Sequence, residues 1–174
     1  MTLRRITRIA LLITVAIFAF IANSGTPHAA AAPPRPESAD RHCTQVGGML
    51  MTNFGVVNGS TTLGTATGDL RGAVAGTLLG SPQTGPNGTV IFHVQHHWVT
   101  ESGDTMFFDP ATATTLPLSQ SLFAIITYPL HLKGGTGRFA GATGDLNAIG
   151  EVDLTAGTVF RYSGQVCFAS PDND

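Results

Sequence analysis

Apolar and polar residues alternate along several short stretches of the chain, and a period of two predicts β-strands. The clearest stretch covers residues 89–100, in which Phe92, His96 and Trp98 share the apolar face. The pattern predicts further strands over residues 46–57, 65–79, 105–109, 124–132, 139–153 and 158–168.

Proline interrupts one of these predicted strands. Residues 124–132 place Ile126 and Tyr128 on one face, and Pro129 follows directly. Because proline has no backbone N–H to donate, the strand is expected to have an edge, a bulge or an irregular pairing at this point.

The spacing of the strands predicts an all-β fold of seven to eight antiparallel strands, arranged as a sandwich or a barrel. Residues 81–88 and 110–120 carry prolines and are predicted to be loops. The composition agrees, since the 174 residues include 21 Gly and 10 Pro, which interrupt helices. Charged residues make up only 11% of the chain, which excludes a coiled coil and a charge-rich disordered tail.

The first 31 residues are typical of a cleaved secretory signal peptide. Three arginines precede an apolar run over residues 9–22, and three alanines end at Ala31. A run of this length is too short for a membrane span, which takes about 20 residues. We therefore predict a secreted, extracellular protein with the following parts: a signal peptide over residues 1–31, a flexible Pro-rich leader over 32–42, a β-barrel domain over 43–168 and a C-terminal tail over 169–174.

Charge limits the partners of the exported chain. Cleavage removes three of the nine Lys and Arg residues and none of the 11 acidic ones, which leaves a formal net charge of −5. Binding to phosphate groups depends on clustered Lys and Arg. We therefore predict no nucleic-acid partner and no membrane partner after cleavage.

The chain has two cysteines, and both lie in the predicted exported part. In an oxidising compartment Cys43 and Cys167 are expected to form a disulfide. They are 124 positions apart and near the two ends of the predicted domain. The first and last strands would then be neighbours, as they are when a sheet closes on itself.

A glycine-rich segment over residues 134–144, GGTGRFAGATG, precedes the last two predicted strands. It resembles the penultimate hairpin of the allene oxide cyclase and dirigent β-barrel superfamily, and the chain would be a secreted bacterial member. The resemblance implies a single closed barrel of eight antiparallel strands, a homotrimer and a terminal disulfide similar to that of dirigent proteins.

The same segment also limits what the resemblance implies about chemistry. Dirigent proteins typically carry an arginine where this chain has Thr143. The chain therefore lacks a charged residue that the resemblance associates with the guidance of phenoxy radicals. Gly141 and Gly144 are closer to the cyclase branch, whose members steer ring closure of a lipophilic substrate. Fold alone does not give function.

One candidate site would lie inside the barrel if the face of His96 turns inward. This histidine would donate or accept a proton while a tyrosine hydroxyl polarises a carbonyl group. The alternative is a core histidine bonded across strands, with tyrosines that close the barrel ends. The sequence leaves the inward face open, because a trimer would bury the outer face. The candidate catalytic residues are His96, Tyr128 and Tyr162, and the candidate ligand-binding residues are Phe92, Trp98 and Phe160.

A cluster of His93, His96, His97 and Glu101 invites a metal interpretation. Strand geometry argues against it, because adjacent histidines point to opposite faces and residues four apart lie about 13 Å apart. We predict no metal site and no cofactor.

Asp69 and Arg71 lie two residues apart on the polar face of the strand predicted over residues 65–79. This spacing predicts a surface ion pair. The alternative is a polar clamp inside the barrel.

These features favour a secreted β-barrel that binds a hydrophobic small molecule in its lumen, with cofactor-free cyclase or isomerase activity as the chemistry to test. The alternatives are a non-catalytic ligand carrier and an extracellular structural or interaction module. A filled lumen indicates a structural role, and an open apolar lumen indicates binding. An open lumen in which His96 meets a tyrosine indicates chemistry.

Overall fold

The computed structural model describes residues 41–169, and all eleven strands in this part of the chain belong to one antiparallel sheet. The predicted signal peptide, nearly all of the predicted leader and residues 170–174 lie outside the described residues. Between residues 41 and 169 no helix is long and apolar enough to cross a membrane. The strands are β1 (His42–Asn58), β2 (Thr61–Ala66), β3 (Gly72–Leu78), β4 (Gln83–Thr84), β5 (Val90–Thr100), β6 (Thr105–Phe108), β7 (Ala111–Pro117), β8 (Leu122–Thr127), β9 (Pro129–Gly135), β10 (Thr143–Asp153) and β11 (Gly157–Phe168).

The sheet closes into a ring with eight strand positions. β11, β1, β2, β3 and β5 pair in that order, and β10 returns to β11. β5 pairs with β7 near its start and with β6 near its end, while β10 pairs with β9 and then β8. β6 pairs with β9, and β7 pairs with β8. β6 and β7 therefore share one position of the ring, and β8 and β9 share the next. The predicted all-β fold of eight antiparallel strands is confirmed in this ring.

The inward face of the ring is the apolar face of the strands. On β5, Phe92, His96 and Trp98 are buried, and Tyr128, Phe160 and Tyr162 are buried as well. The alternation that predicted these strands therefore also separates the core from the outer wall. The question of which face turns inward is answered by burial.

Cys43 and Cys167 face each other as register partners between β1 and β11, and they form a disulfide. The predicted pairing of the first and last strands is confirmed. We term this end of the ring the disulfide end; it also holds the turns at Gly68–Leu70 and Gly137–Phe139. We term the opposite end the mouth end; it holds the connections from β1 to β2, β3 to β5, β7 to β8 and β10 to β11.

The single strand predicted over residues 65–79 is wrong. The chain reverses at Gly68–Leu70, so β2 and β3 form a hairpin. Gly68 has φ +82°, which favours glycine, and a side chain there would collide with the backbone of Gly47. Asp69 and Arg71 therefore lie in and just after a turn rather than on one strand face. The Asp69 carboxylate accepts a hydrogen bond from Gly47 N at 2.8 Å, and Arg71 faces Glu101 at 4.0 Å, so their predicted ion pair is also wrong.

The loop predicted over residues 110–120 is wrong as well, because β7 occupies Ala111–Pro117. Its small inward residues Ala111, Ala113 and Thr115 are buried. Threonine suits a strand, and the prolines that suggested a loop lie before β7 and at its last residue.

The strand predicted over residues 124–132 is interrupted between β8 and β9, next to Pro129, where irregular pairing was expected. The break shifts the alternation by one residue. Ile125 and Tyr128 are buried, whereas Ile126 is 45% exposed. The shared face predicted for Ile126 and Tyr128 is therefore wrong.

Candidate functional site

An apolar cavity lies inside the ring toward the mouth end. Its volume is about 40 Å³, which holds a few water molecules and is small beside a typical ligand pocket of roughly 300–1,000 Å³. Half-buried Phe54 and Leu78 lie at its outer end. The lining residues are Phe54, Thr62, Gly76, Leu78, Phe92, Val94, His96, Ala113, Tyr128, Val152, Thr158 and Phe160.

The inner end of this cavity carries a hydrogen bond between two buried side chains. The distance from His96 Nε2 to Tyr128 Oη is 2.7 Å. β5 places His96 in the lumen, and the break between β8 and β9 turns Tyr128 toward it. Their rings lie 5.6 Å apart, and the ring of Phe160 meets Tyr128 edge to face at 5.7 Å.

Burial determines the protonation state of both groups. Burial, with a smaller contribution from the charge of neighbouring His97, lowers the pKa of His96 from 6.5 to about 4. Burial raises the pKa of the Tyr128 hydroxyl well above its ordinary value. At neutral pH the pair is therefore a neutral imidazole and an intact phenol, because the lumen penalises the charged form of each.

This pair can both donate and accept a proton. The Nδ1 atom of His96 makes no hydrogen bond to any residue between 41 and 169. When Nε2–H donates to the tyrosine oxygen, Nδ1 is an acceptor and the Tyr128 hydroxyl remains a donor. When the tyrosine donates to Nε2, Nδ1–H is the donor. Either tautomer thus offers a polar ligand a partner on an otherwise apolar wall.

The other polar side chains of the lining are already paired. Thr52 and Thr158 share a hydrogen bond of 2.6 Å between their hydroxyls, and the Thr62 hydroxyl donates to Gly76 O at 3.3 Å. His96 Nδ1 is therefore the polar side-chain atom of the lining that has no hydrogen-bond partner.

Among the sequence-predicted residues, Phe92 and Phe160 line the cavity with His96 and Tyr128. Tyr162 and Trp98 lie elsewhere, near the disulfide end, beneath the turn at Gly68–Leu70. Tyr162 accepts a hydrogen bond from Leu70 N at 3.0 Å and donates one to Thr67 O at 2.7 Å. Trp98 Nε1 donates to Leu70 O at 2.8 Å. These polar atoms hold the turn and have no contact with the cavity.

No protein-family model matches the chain, and no curated protein matches it. Among solved structures the chain is similar to a pterocarpan synthase dirigent protein, with 16% identity over 83% of this chain and 100% of that one, at a TM-score of 0.33. A likeness this weak assigns neither family nor chemistry. The fold stated above rests on the strand pairings.

The histidines of the metal interpretation point in different directions. His93 is on the outer wall, where its Nδ1 lies 3.1 Å from the Thr112 hydroxyl. His97 is exposed, whereas His96 is buried in the lumen. Residues 41–169 hold no group of three or more side chains that could bind one metal ion.

Gly76 is a lumen residue that the sequence reasoning missed. A side chain at this position would lie 3.2 Å from Thr62 Oγ1 and 3.8 Å from His96 Cε1. Glycine thus leaves space beside the histidine. The signal in the sequence is its place two residues before Leu78, on the face of the strand that turns inward.

Proposed function

We propose that this protein is secreted and binds in its lumen a small apolar molecule that carries one carbonyl or hydroxyl group. The observation that supports this most strongly is the buried hydrogen bond between His96 and Tyr128 at the inner end of an apolar cavity. Ligand sites are mostly apolar with a few placed polar groups. Export fits the disulfide between Cys43 and Cys167, since such bonds persist in oxidising compartments.

The size of the cavity narrows the ligand class. A volume of about 40 Å³ accepts a short alkyl chain or one edge of a ring, with the polar group against Tyr128. The rest of the ligand would lie at the mouth, against Phe54 and Leu78. Narrow, mostly apolar ketones and alcohols fit this description better than charged or sugar-like molecules.

Titration with methyl pentyl ketone, followed by NMR of the His96 ring nitrogens, tests the proposal. We expect a saturable shift in the native protein. Gly76→Ala places a methyl group in the lumen and is expected to weaken binding roughly tenfold, since buried space tolerates little added volume. Gly59→Ala is the matched control, because a side chain there meets nothing within 4 Å. Absence of a saturable shift in the native protein would reject lumen binding.

A second candidate function, cofactor-free isomerisation or cyclisation, is favoured by the free Nδ1 atom of His96. In the first step Nδ1 takes a proton from the carbon next to the carbonyl group. The electron pair of that C–H bond forms an enolate, whose oxygen the Tyr128 hydroxyl stabilises by a hydrogen bond. With a β,γ-unsaturated ketone the electron pair spreads over a dienolate, and return of the proton from Nδ1 to the γ carbon would complete an isomerisation.

Deuterium exchange into the same ketone in D₂O isolates this first step. The native protein is expected to speed exchange over buffer, and His96→Gln to remove roughly 100-fold or more of that gain. Ketone binding to both proteins is measured in parallel by NMR of the Tyr128 ring, because His96→Gln lacks the histidine signals. A His96→Gln protein that binds ketone and exchanges as fast as the native one would leave a carrier without catalysis.

An extracellular structural or interaction module is the third candidate, and the small volume of the cavity favours it. In that case the lumen is a packed core, and the His96–Tyr128 hydrogen bond only satisfies two buried polar groups. The ketone titration separates this function from the other two, because a packed core shows no saturable binding.

A further inference from the structure

We propose that the mouth end of the ring docks on the surface of an uncharged lipid layer. This revises the prediction of no membrane partner, because that prediction rests on the lack of clustered Lys and Arg and so concerns anionic membranes. The docking surface, termed the rim, comprises residues 54–60, 79–89, 116–122 and 154–156. These segments surround the opening of the cavity. The docking rests on the rim itself, while its use, transfer of an apolar ligand between lipid and lumen, rests on the proposed function.

Charge is distributed unequally between the two ends of the ring. The rim contains no Asp, Glu, Lys, Arg or His. One charged group borders it, the Asp153 carboxylate, which accepts hydrogen bonds from Thr155 N at 2.8 Å and from the Thr155 hydroxyl at 2.7 Å. The turns of the disulfide end, in contrast, carry Asp69, Arg71, Glu101, Asp104 and Arg138. Two ion pairs form there, Arg71 with Glu101 at 4.0 Å and Arg138 with Asp104 at 3.8 Å. Placing an ion against hydrocarbon is costly. Among the described residues at the mouth end the Asp153 carboxylate alone would carry this cost, and its hydrogen bonds to Thr155 hold it at one edge of the rim.

The rim also exposes branched aliphatic side chains. Val56 and Val57 are each 60% exposed at the end of β1, and Leu118 is 61% exposed beyond β7. Leu79 and Leu116 add to the same end of the ring and are exposed as well. An apolar patch on a secreted protein marks an interaction site when it is contiguous.

Hydrogen bonds join the rim segments into one continuous surface. Leu154 N donates to Ser121 O at 2.9 Å, and Phe54 N donates to Ala156 O at 3.1 Å. Leu78 N donates to Ser60 O at 2.8 Å. The rim thus presents its aliphatic side chains together, with neutral Ser, Thr, Asn and Gln between them.

Charge distinguishes a lipid surface from a second copy of the chain as the occupant. The outer wall has exposed apolar residues too, but the exposed charged side chains Glu151 and Arg161 lie among them. Such charges would attract or repel charges of a partner protein and so make that surface specific. The rim has no cation, and the single Asp153 carboxylate at its border offers little to fix a register with a protein, yet the rim surrounds the exit of an apolar cavity. Without basic residues it also has no preference for anionic headgroups.

Vesicle flotation of protein recovered from culture medium tests the docking. Phosphatidylcholine vesicles are the probe, with phosphatidylglycerol vesicles for comparison. We expect binding to phosphatidylcholine, and weaker binding to phosphatidylglycerol because the exported chain is acidic. Val57→Asp with Leu118→Asp is expected to lower the partition coefficient about tenfold or more. The matched control is Phe107→Asp with Val99→Asp, which places the same two charges at exposed apolar positions of the outer wall and is expected to bind as the native protein does.

Several results would overturn the docking. These are no flotation of the native protein, equal losses in the rim and control variants, or a rim-dependent dimer in sedimentation without vesicles. Thermal unfolding and the ketone titration of each variant keep the two proposals apart. A rim variant that folds and binds ketone but no longer floats supports docking on its own. Native protein that binds ketone yet never floats rejects docking and leaves the proposed function in place.

Discussion

His96 is the residue on which the proposed chemistry depends most. It is buried, bonded to Tyr128 at 2.7 Å and neutral near pH 7 because burial lowers its pKa to about 4. The neutral imidazole is the form that can accept a proton. The imidazolium that forms is disfavoured in an apolar lumen, so the step depends on the negative charge of the enolate beside it.

Stability should therefore depend on pH through this residue. The folded pKa of about 4 lies below the ordinary value of 6.5, so the unfolded chain binds more protons between these values. Stability is fully present above pH 6.5 and falls as the pH drops toward 4, by roughly 3 kcal/mol. Denaturant unfolding across this range should show the loss in the native protein and a smaller loss in His96→Gln.

His93→Gln is the control for this measurement, since His93 lies on the outer wall. It should keep the pH dependence of the native protein. Equal pH dependence in His96→Gln and the native protein would contradict the burial argument.

Tyr162 should act on stability and leave the ligand site unchanged. Tyr162→Phe removes the two hydrogen bonds to Thr67 and Leu70. Leaving buried backbone groups without partners costs about 1–3 kcal/mol each, so the melting temperature should drop clearly while ketone affinity stays the same. Tyr128→Phe, in contrast, should weaken ketone binding. Weakened ketone binding in Tyr162→Phe would place Tyr162 in the ligand site after all.

At the level of whole elements, the strands with strict alternation were predictable from the sequence. β5 and β11 are buried on every second residue, and their apolar residues are the ones that line the ring. β7 was missed because its inward positions are small, Ala111, Ala113 and Thr115, so the alternation carries little hydrophobic contrast. The hairpin of β2 and β3 was missed because its reversal depends on a positive φ at Gly68, which looks like any other glycine in the sequence.

The candidate site was predictable in part for the same reason. The pattern of β5 alone places His96 on one face with Phe92 and Trp98, whereas the burial of that face in the ring shows that it turns inward. The separation of Tyr162 from Tyr128 does not, because Tyr162 bonds the backbone of Thr67, 95 positions away in the chain. Such a long-range partner leaves no local signal. The space beside Gly76 is equally invisible without the pairing of β3 with β5.

The disulfide joins the strands that close the ring. Cys43→Ser with Cys167→Ser should lower the free energy of unfolding by about 4–5 kcal/mol, the chain-entropy value for so long a loop. Denaturant unfolding in oxidising buffer measures this loss. Adding a reductant to the native protein should reproduce it, and should change nothing in the double variant. An unchanged free energy of unfolding would mean that the disulfide constrains little of the unfolded chain.

At the scale of the whole molecule, the homotrimer that the family resemblance implies stays a prediction. The outer wall of the ring has exposed apolar residues that such an assembly could bury. Met51 and Val159 are exposed register partners on β1 and β11, and Ile149 is exposed on neighbouring β10. Burying such a wall between copies would stabilise an assembly. Sedimentation of the chain without residues 1–31 should give the mass of a trimer. A monomer at high concentration would contradict the prediction.

The buried aromatic residues at the two ends of the ring have different roles. At the disulfide end, Trp98 and Tyr162 are engaged with the Gly68–Leu70 turn. Toward the mouth end, Gly76 and the aromatic walls leave a cavity that ends at His96 and Tyr128. The central claim is that this cavity admits a ligand.

A crystal structure of the chain without residues 1–31, grown with methyl pentyl ketone, tests that claim most directly. The account predicts electron density for the ketone inside the ring, with its oxygen within hydrogen-bond distance of Tyr128 Oη or His96 Nδ1. Density for the alkyl chain would lie along Phe92 and Phe160. A lumen filled by its own side chains, with the ketone absent, would contradict the account and leave a structural module.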